Sequence, residues 1–233
     1  GSDYFDTKLY TGNGSTQTIS GLAFSPDLVW IKKRSAAADH NLVDSVRVGT
    51  RPYLLYPNLT NAENTTYANS VQSLDTTGFT VGSDSDVNAS SASISAWCWD
   101  AGTSTVSNTA GSITSTVRAN ASAGFSIVTF TAQSSGNATI GHGLGVAPEL
   151  IIVKSRAQTY SWLVYHKNLT SNAYYLILNS TAAQDNTSNA WNSTSPTSSV
   201  FSLGSTYAGG GNSVAYCFAP VNSFSAFGSY QGN

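Results

Sequence analysis

Three histidines, two cysteines and twelve acidic residues are the raw material this sequence offers for catalysis or metal binding. Asp39-His40 with Asp44 nearby is the one place where carboxylates stand close enough in sequence to orient an imidazole for acid–base work. No nucleophile elbow, HExxH or glycine-rich phosphate loop accompanies it, so a polar, turn-stabilising role is the favoured reading. Asp84-Ser85-Asp86-Val87-Asn88 sets three oxygen ligands at alternate positions, as a calcium loop opens. Ala89 then stands where the turn glycine belongs and no glutamate closes the loop, which favours a polar turn. Cys98 and Cys217 lack CxxC spacing and a histidine at ligand distance. They are expected as two buried free thiols, with a disulfide as the alternative. No metal and no cofactor is expected.

Aromatic residues are the more informative chemistry, because a ring face is the surface on which a sugar stacks. Trp30, Trp97 and Trp99 lie in apolar runs and belong to a core. Trp191 instead sits in the polar stretch 185–195 and Tyr160 in the loop before Trp162. These two, with His166 as a polar neighbour, are the expected saccharide contacts. Lys32, Arg34, Lys154 and Arg156 recur at strand ends, either as a solvated edge that discourages aggregation or as a site for an acidic glycan. Asp27 and Glu149 are positioned to satisfy these cations internally.

The elements that hold these residues come in two copies. Phe24-Ser25-Pro26-Asp27-Leu28-Val29-Trp30-Ile31-Lys32-Lys33-Arg34 returns as Val146-Ala147-Pro148-Glu149-Leu150-Ile151-Ile152-Val153-Lys154-Ser155-Arg156, 122 positions later. Tyr53-Leu54-Leu55 and Tyr175-Leu176-Ile177 keep that spacing, and Ala96-Trp97-Cys98-Trp99 matches Ala215-Tyr216-Cys217-Phe218 at 119. Short Val-, Ile-, Tyr- and Phe-rich runs bounded by Gly, Asn, Ser and Asp predict strands at 28–32, 53–56, 93–99, 125–131, 150–154, 162–165, 174–178 and 213–218. The predicted fold is all-β: two tandem, homologous β-sandwich (jelly-roll-like) modules at 1–105 and 124–229. A Ser/Thr/Ala/Gly-rich connecting segment covers 106–123, the run Gly209-Gly210-Gly211 supplies a turn, and 230–233 open a third repeat, since Tyr230-Gln231-Gly232-Asn233 echoes Tyr10-Thr11-Gly12-Asn13.

A net charge of −2 supplies no basic stripe for phosphates, so nucleic acid is not an expected partner. No apolar stretch approaches the roughly 18–20 residues of a membrane span. The Gly1-Ser2 start in a chain without methionine predicts a piece of a longer polypeptide.

The run Tyr10-Thr11-Gly12-Asn13-Gly14-Ser15, the block Phe24 to Arg34, the stretch Asp39 to Arg47, Gly141-His142-Gly143-Leu144 and Phe227-Gly228-Ser229-Tyr230 together resemble repeat-containing proteins of marine bacteriophages, often found among tail or fibre genes. The resemblance spans nearly the whole chain and implies a place on the virion surface. It transfers no catalytic motif. The expected function is a non-catalytic structural or host-surface-binding segment of a tail fibre or virion appendage. Its expected partners are a host glycan or receptor, neighbouring modules of the same protein, and further copies of itself. The alternatives are a polysaccharide depolymerase and a purely structural capsid or fibre protein without ligand. A depolymerase needs carboxylates about 5–10 Å apart. With Glu63 and Glu149 the only glutamates, it would rest on Asp pairs such as Asp39 and Asp44.

Overall fold

The computed structural model describes residues 3–133, 135–187, 189–205 and 211–230. The chain is all-β and divides into two compact units, Gly1–Gly102 and Thr103–Asn233. Among the described residues no helix is long and apolar enough to cross a membrane.

In the first unit the strands are β1 (Phe5–Thr11), β2 (Gln17–Ser20), β3 (Leu28–Lys33), β4 (Asn41–Asp44), β5 (Val71–Asp75), β6 (Gly78–Val81) and β7 (Ser93–Trp99), with one helical turn, α1 (Ser85–Asn88). They form a sheet of order β1-β7-β3-β4 and a second of order β2-β6-β5. Period-2 alternation explains the layering: Ile94, Ala96 and Cys98 of β7 and Val29 and Ile31 of β3 meet Ile19, Val71, Phe79 and Val81 of the other sheet in one core. The run 53–56, expected as a strand, contributes only the isolated bridges Leu42↔Leu55 and Leu54↔Asn64.

The second unit contains β8 (Thr105–Asn108), β9 (Ser115–Asn120), β10 (Phe125–Ala132), β11 (Ala138–Gly141), β12 (Leu150–Ser155), β13 (Leu163–His166), β14 (Leu176–Ile177), β15 (Val200–Leu203) and β16 (Gly211–Phe218). Its larger sheet runs β14-β13-β12-β16-β10-β9-β8, and β11 pairs with β15. Within it, β10-β16-β12-β13 repeats the order β1-β7-β3-β4. The register repeats too: Leu28 faces both Trp99 and Asp44, and Leu150 faces Phe218 and His166. Gly82 and Gly204 donate their N–H groups to Ser70 O and Ala190 O, at 2.7 and 2.8 Å. A Cβ at either glycine would collide with the carbonyl of Asn69 or Asn189, so both loops need glycine there.

One expectation about domain layout is corrected. The stretch 106–123 is no connector: it folds as β8 and β9 onto β10, and the division falls between Gly102 and Thr103. Its Ser/Thr composition reads as a linker, yet Ser115 and Val117 are buried while Thr116 faces out, the alternation of a half-buried strand. Of the expected third repeat, Tyr230 is exposed and in no strand, and 231–233 lie outside the described residues, as do Gly209 and Gly210 of the predicted turn.

Lys32 and Lys154 are not on sheet edges, since β3 and β12 are interior strands, whereas Arg34 is exposed just past the end of β3. Lys32 Nζ donates to Ala38 O at 2.7 Å. Lys154 is fully buried and donates to Ser155 O and Gln158 O, at 2.7 and 2.9 Å. Burial pulls its ammonium down to about 8. Both lysines therefore pin the loop that follows their strand. Asp27 is buried and accepts from Ser45 Oγ (2.6 Å) and Ala101 N–H (2.8 Å), whereas its counterpart Glu149 pairs with Lys167 at 2.7 Å. Cys98 and Cys217 are free and buried in the two cores, and burial pushes the Cys98 thiol up to about 12.

Candidate functional site

The three residues expected to form a saccharide contact are not brought together. Tyr160 is 46% exposed in the loop before β13, and His166 lies at the far end of that strand, its Nδ1 accepting from Asn168 N–H at 3.1 Å. Trp191 is 1% exposed. Its indole packs edge-on against Tyr165, centroids 5.7 Å apart, inside the second core. The expectation of an exposed ring there is corrected. The polar sequence around Trp191 conceals that Ala190 is tied to Gly204 and draws the loop over the apolar layer.

Asp39, His40 and Asp44 do not assemble as an acid–base group either, the alternative that the sequence disfavoured. Asp44 is buried and committed to Arg47, with Nε to Oδ2 at 2.6 Å, and Arg47 Nη1 also reaches Glu63 Oε1 at 2.7 Å. Asp39 accepts from Asn58 Nδ2 at 2.7 Å. His40 Nδ1 accepts from Trp30 Nε1 at 2.9 Å, which leaves the ring proton on Nε2. Burial first and the Lys32 charge second keep the imidazole neutral, shifting its pKa below the usual value.

What the first unit does assemble is a polar, aromatic cluster at the end of β3. Lys32 and Lys33 leave the strand beside the loop that carries Asp39 and His40, and Lys33 Nζ reaches Ser85 O of α1 at 3.1 Å. Asp84 caps that turn, its Oδ1 accepting from Asp86 N–H at 3.0 Å. Tyr56 and Tyr67, half-buried, complete the group from the long loop between β4 and β5. The electrostatics show that these side chains share one environment. Desolvation, then Tyr67, Asp84, Asp86 and Asp39, push the Tyr56 hydroxyl up to about 12. Desolvation, then the negative charges of Asp84 and Asp39, raise Asp86, with Lys33 and Lys32 opposing.

The sign for Asp86 follows directly. The folded carboxyl holds its proton above the ordinary value of 3.8, so ionising it costs stability as pH rises from 3.8 through the folded value. Asp86→Asn should therefore raise the melting temperature at neutral pH and leave it unchanged well below pH 3.8. A gain that persists at acid pH would mean that repulsion within the cluster is not its source.

Among the described residues no group of three or more His, Cys, Asp or Glu side chains could hold a metal ion. Asn88, the last oxygen ligand of the calcium-loop-like opening at 84–88, is buried and used internally: its Oδ1 accepts from Asn13 N–H, and its Nδ2 donates to Gly82 O, Ser15 O and Asn13 Oδ1. Chemically the cluster offers two ring faces, carboxylates that accept from paired hydroxyls, an amide and two ammonium groups. In the second unit Ser161, Trp162, Leu178 and Ser155 replace Asp39, His40, Tyr56 and Lys33. The cluster is therefore confined to the first unit. Asp39-His40 and Asp84-Ser85-Asp86 are conspicuous in the sequence as separate motifs, but nothing local links them to Tyr56 and Tyr67.

The sequence profile of the family described as Domain of unknown function (DUF7483) matches residues 1–233, and the chain belongs to that family. No curated protein and no solved structure matches it.

Proposed function

We propose that this chain is a non-catalytic segment of a tail fibre or related virion appendage that binds a host-surface saccharide, and that the Tyr56–Tyr67–Asp86 cluster of the first unit is the contact surface. The observation that carries this reading is the convergence of two half-buried tyrosines with Asp39, Asp84 and Asp86 on loops of a β-sandwich. Sugar recognition needs an apolar ring face for the C–H side of the pyranose and fixed acceptors for its hydroxyls. Rings and carboxylates together meet both needs. A two-sheet unit presents loops without disturbing its core, and the second unit contains the same four-strand order within its larger sheet.

The test is a glycan array probed with the intact chain, followed by titration of the best ligand with Tyr67→Ala. Loss of one stacking face should weaken binding roughly tenfold, about 1 kcal/mol or more, with the circular dichroism spectrum retained. Unchanged affinity in that variant, or no saccharide bound by the wild type, would remove the proposal.

One observation favours a second reading, cleavage of the same polysaccharide. Three carboxylates meet at the cluster and Asp86 is raised, as a general acid requires. Reducing ends released from a host polysaccharide, and lost in Asp86→Asn, would replace binding by hydrolysis.

A further inference from the structure

The strands β2 and β11 hold matching places in the two units, pairing with β6 and β15. Each is followed by a loop tied to the turn before its partner strand, and the two ties are made differently. At the offset of 122, Ser20-Gly21-Leu22 corresponds to His142-Gly143-Leu144, and Thr77 to Ser199. In the first unit Leu22 N–H donates to Thr77 O at 2.9 Å, a bond between backbone groups with no titratable atom. In the second, Leu144 N–H donates to His142 Nδ1 at 3.2 Å. His142 also holds the facing turn twice, through its backbone N–H to Ser199 O at 3.2 Å and through Nε2 to Thr197 O at 3.0 Å.

A carbonyl oxygen only accepts, so Nε2 carries the ring proton and Nδ1 offers its lone pair to Leu144. Only the neutral imidazole makes both bonds. A proton added at Nδ1 would set donor against donor at the Leu144 N–H. His142 is fully buried, so water cannot take up the displaced bond. Among the described residues around it no anion offsets a ring charge. The strands β8, β10, β11 and β15, the 109–114 loop and the 192–199 segment carry no acidic, basic or tyrosine side chain. On β9 the charged residue is Arg118, which by alternation leaves the face opposite Val117 and Ala119, the side chains that lie against Gly143. Glu149, at the end of the loop after Leu144, is paired with Lys167. Burial accordingly pulls the imidazole below its ordinary value, with the bond to Thr197 O opposing.

We propose that His142 is an acid-released latch of the second unit: on taking up one proton its ring leaves for water, freeing Leu144 and the 197–199 turn together and loosening the β11–β15 pair. Ile140, Leu144, Phe201 and Leu203 all belong to the second core, so the latch governs how tightly that layer is held. The unfolded chain takes up this proton near the ordinary value of 6.5 and the buried ring only at lower pH. Stability is therefore full above 6.5 and falls as the pH drops from 6.5 through the folded value. The first unit, whose equivalent tie is backbone to backbone, has no such release at this place.

Hydrogen exchange at the β11 and β15 amides, expressed as protection relative to the unfolded chain at each pH, tests the latch. Between about pH 7.5 and about pH 5.5 the wild-type protection should fall by up to roughly tenfold, the ratio that linkage gives for one histidine whose proton the fold excludes. His142→Asn keeps a side-chain oxygen to accept from Leu144 N–H and has no proton to gain. Its protection should start lower, for want of the bond to Thr197, and no longer fall over that interval. The His142 ring of the wild-type chain, followed by proton NMR, should titrate below 6.5. That measurement, with the wild-type exchange, decides the matter should the variant fail to fold. Wild-type protection that does not fall, a fall undiminished in His142→Asn, or a ring that titrates at or above 6.5 would each overturn the proposal.

Discussion

Arg47→Ala is expected to lower the unfolding free energy of the first unit by about 3–5 kcal/mol, since it leaves two buried carboxylates without their shared cation. The side chains of Asp44 and Arg47 are fully buried and that of Glu63 is 6% exposed, so water cannot replace the guanidinium. Arg47 also donates its backbone N–H to Asp44 Oδ1 at 2.8 Å and Nη1 to Tyr53 O at 3.3 Å, tying the loop after β4 to the run 53–56. Hydrogen exchange at β3 and β7 amides reads this unit alone. The exposed pair Lys8–Asp6, at 2.9 Å, supplies the contrast: Lys8→Ala should cost no more than about 1 kcal/mol. Equal losses in the two variants would mean that the buried network is not what stabilises the loop.

Trp191→Ala should cost the second unit a similar amount, about 3–5 kcal/mol, for a different reason. Its indole fills space beside Tyr165 under the loop that Ala190 and Gly204 hold down, and truncation leaves a cavity that the surrounding strands cannot close. Tyr160→Ala, at an exposed loop position, should stay within about 0.5 kcal/mol. Exchange protection at β10 and β12 amides measures both. Unaltered protection in Trp191→Ala would show that the ring does not belong to the core.

Trp191 also marks how far the sequence alone reaches. Strand runs such as 93–99 and 213–218, and the 122-residue spacing, made the all-β class and the two-unit division legible, because period-2 burial is a local property. Whether an aromatic in a polar loop is exposed is not local: it depends on Gly204, thirteen positions away, accepting the loop against its backbone. The strands β8 and β9 were hidden for another reason. Ser and Thr serve equally as linker residues and as the outward face of a strand, and only pairing with β10 distinguishes the two. The first-unit cluster was half legible, with Asp39-His40 and Asp84-Ser85-Asp86 visible as motifs. Their meeting with Tyr56 and Tyr67 is set by how the loop between β4 and β5 returns to α1, which no spacing encodes.

Tandem units of one strand order face a hazard during folding, since a strand of one can dock into the other's sheet. Asp27 and Glu149 bear on that hazard. In its own unit the shorter carboxylate of Asp27 takes the Ala101 N–H, but the second unit has Pro220 at the matching place, and proline has no N–H to give. Docked there, Asp27 would lose that donor and meet Lys167 with a side chain one methylene shorter than Glu149. The Glu149–Lys167 pair is only part-buried, whereas Asp27 is buried, so the two carboxylates hold their loops by different means. Divergence at this one pair of positions thus matches each carboxylate to the donors of its own unit, so equivalent strands of one architecture are not interchangeable parts.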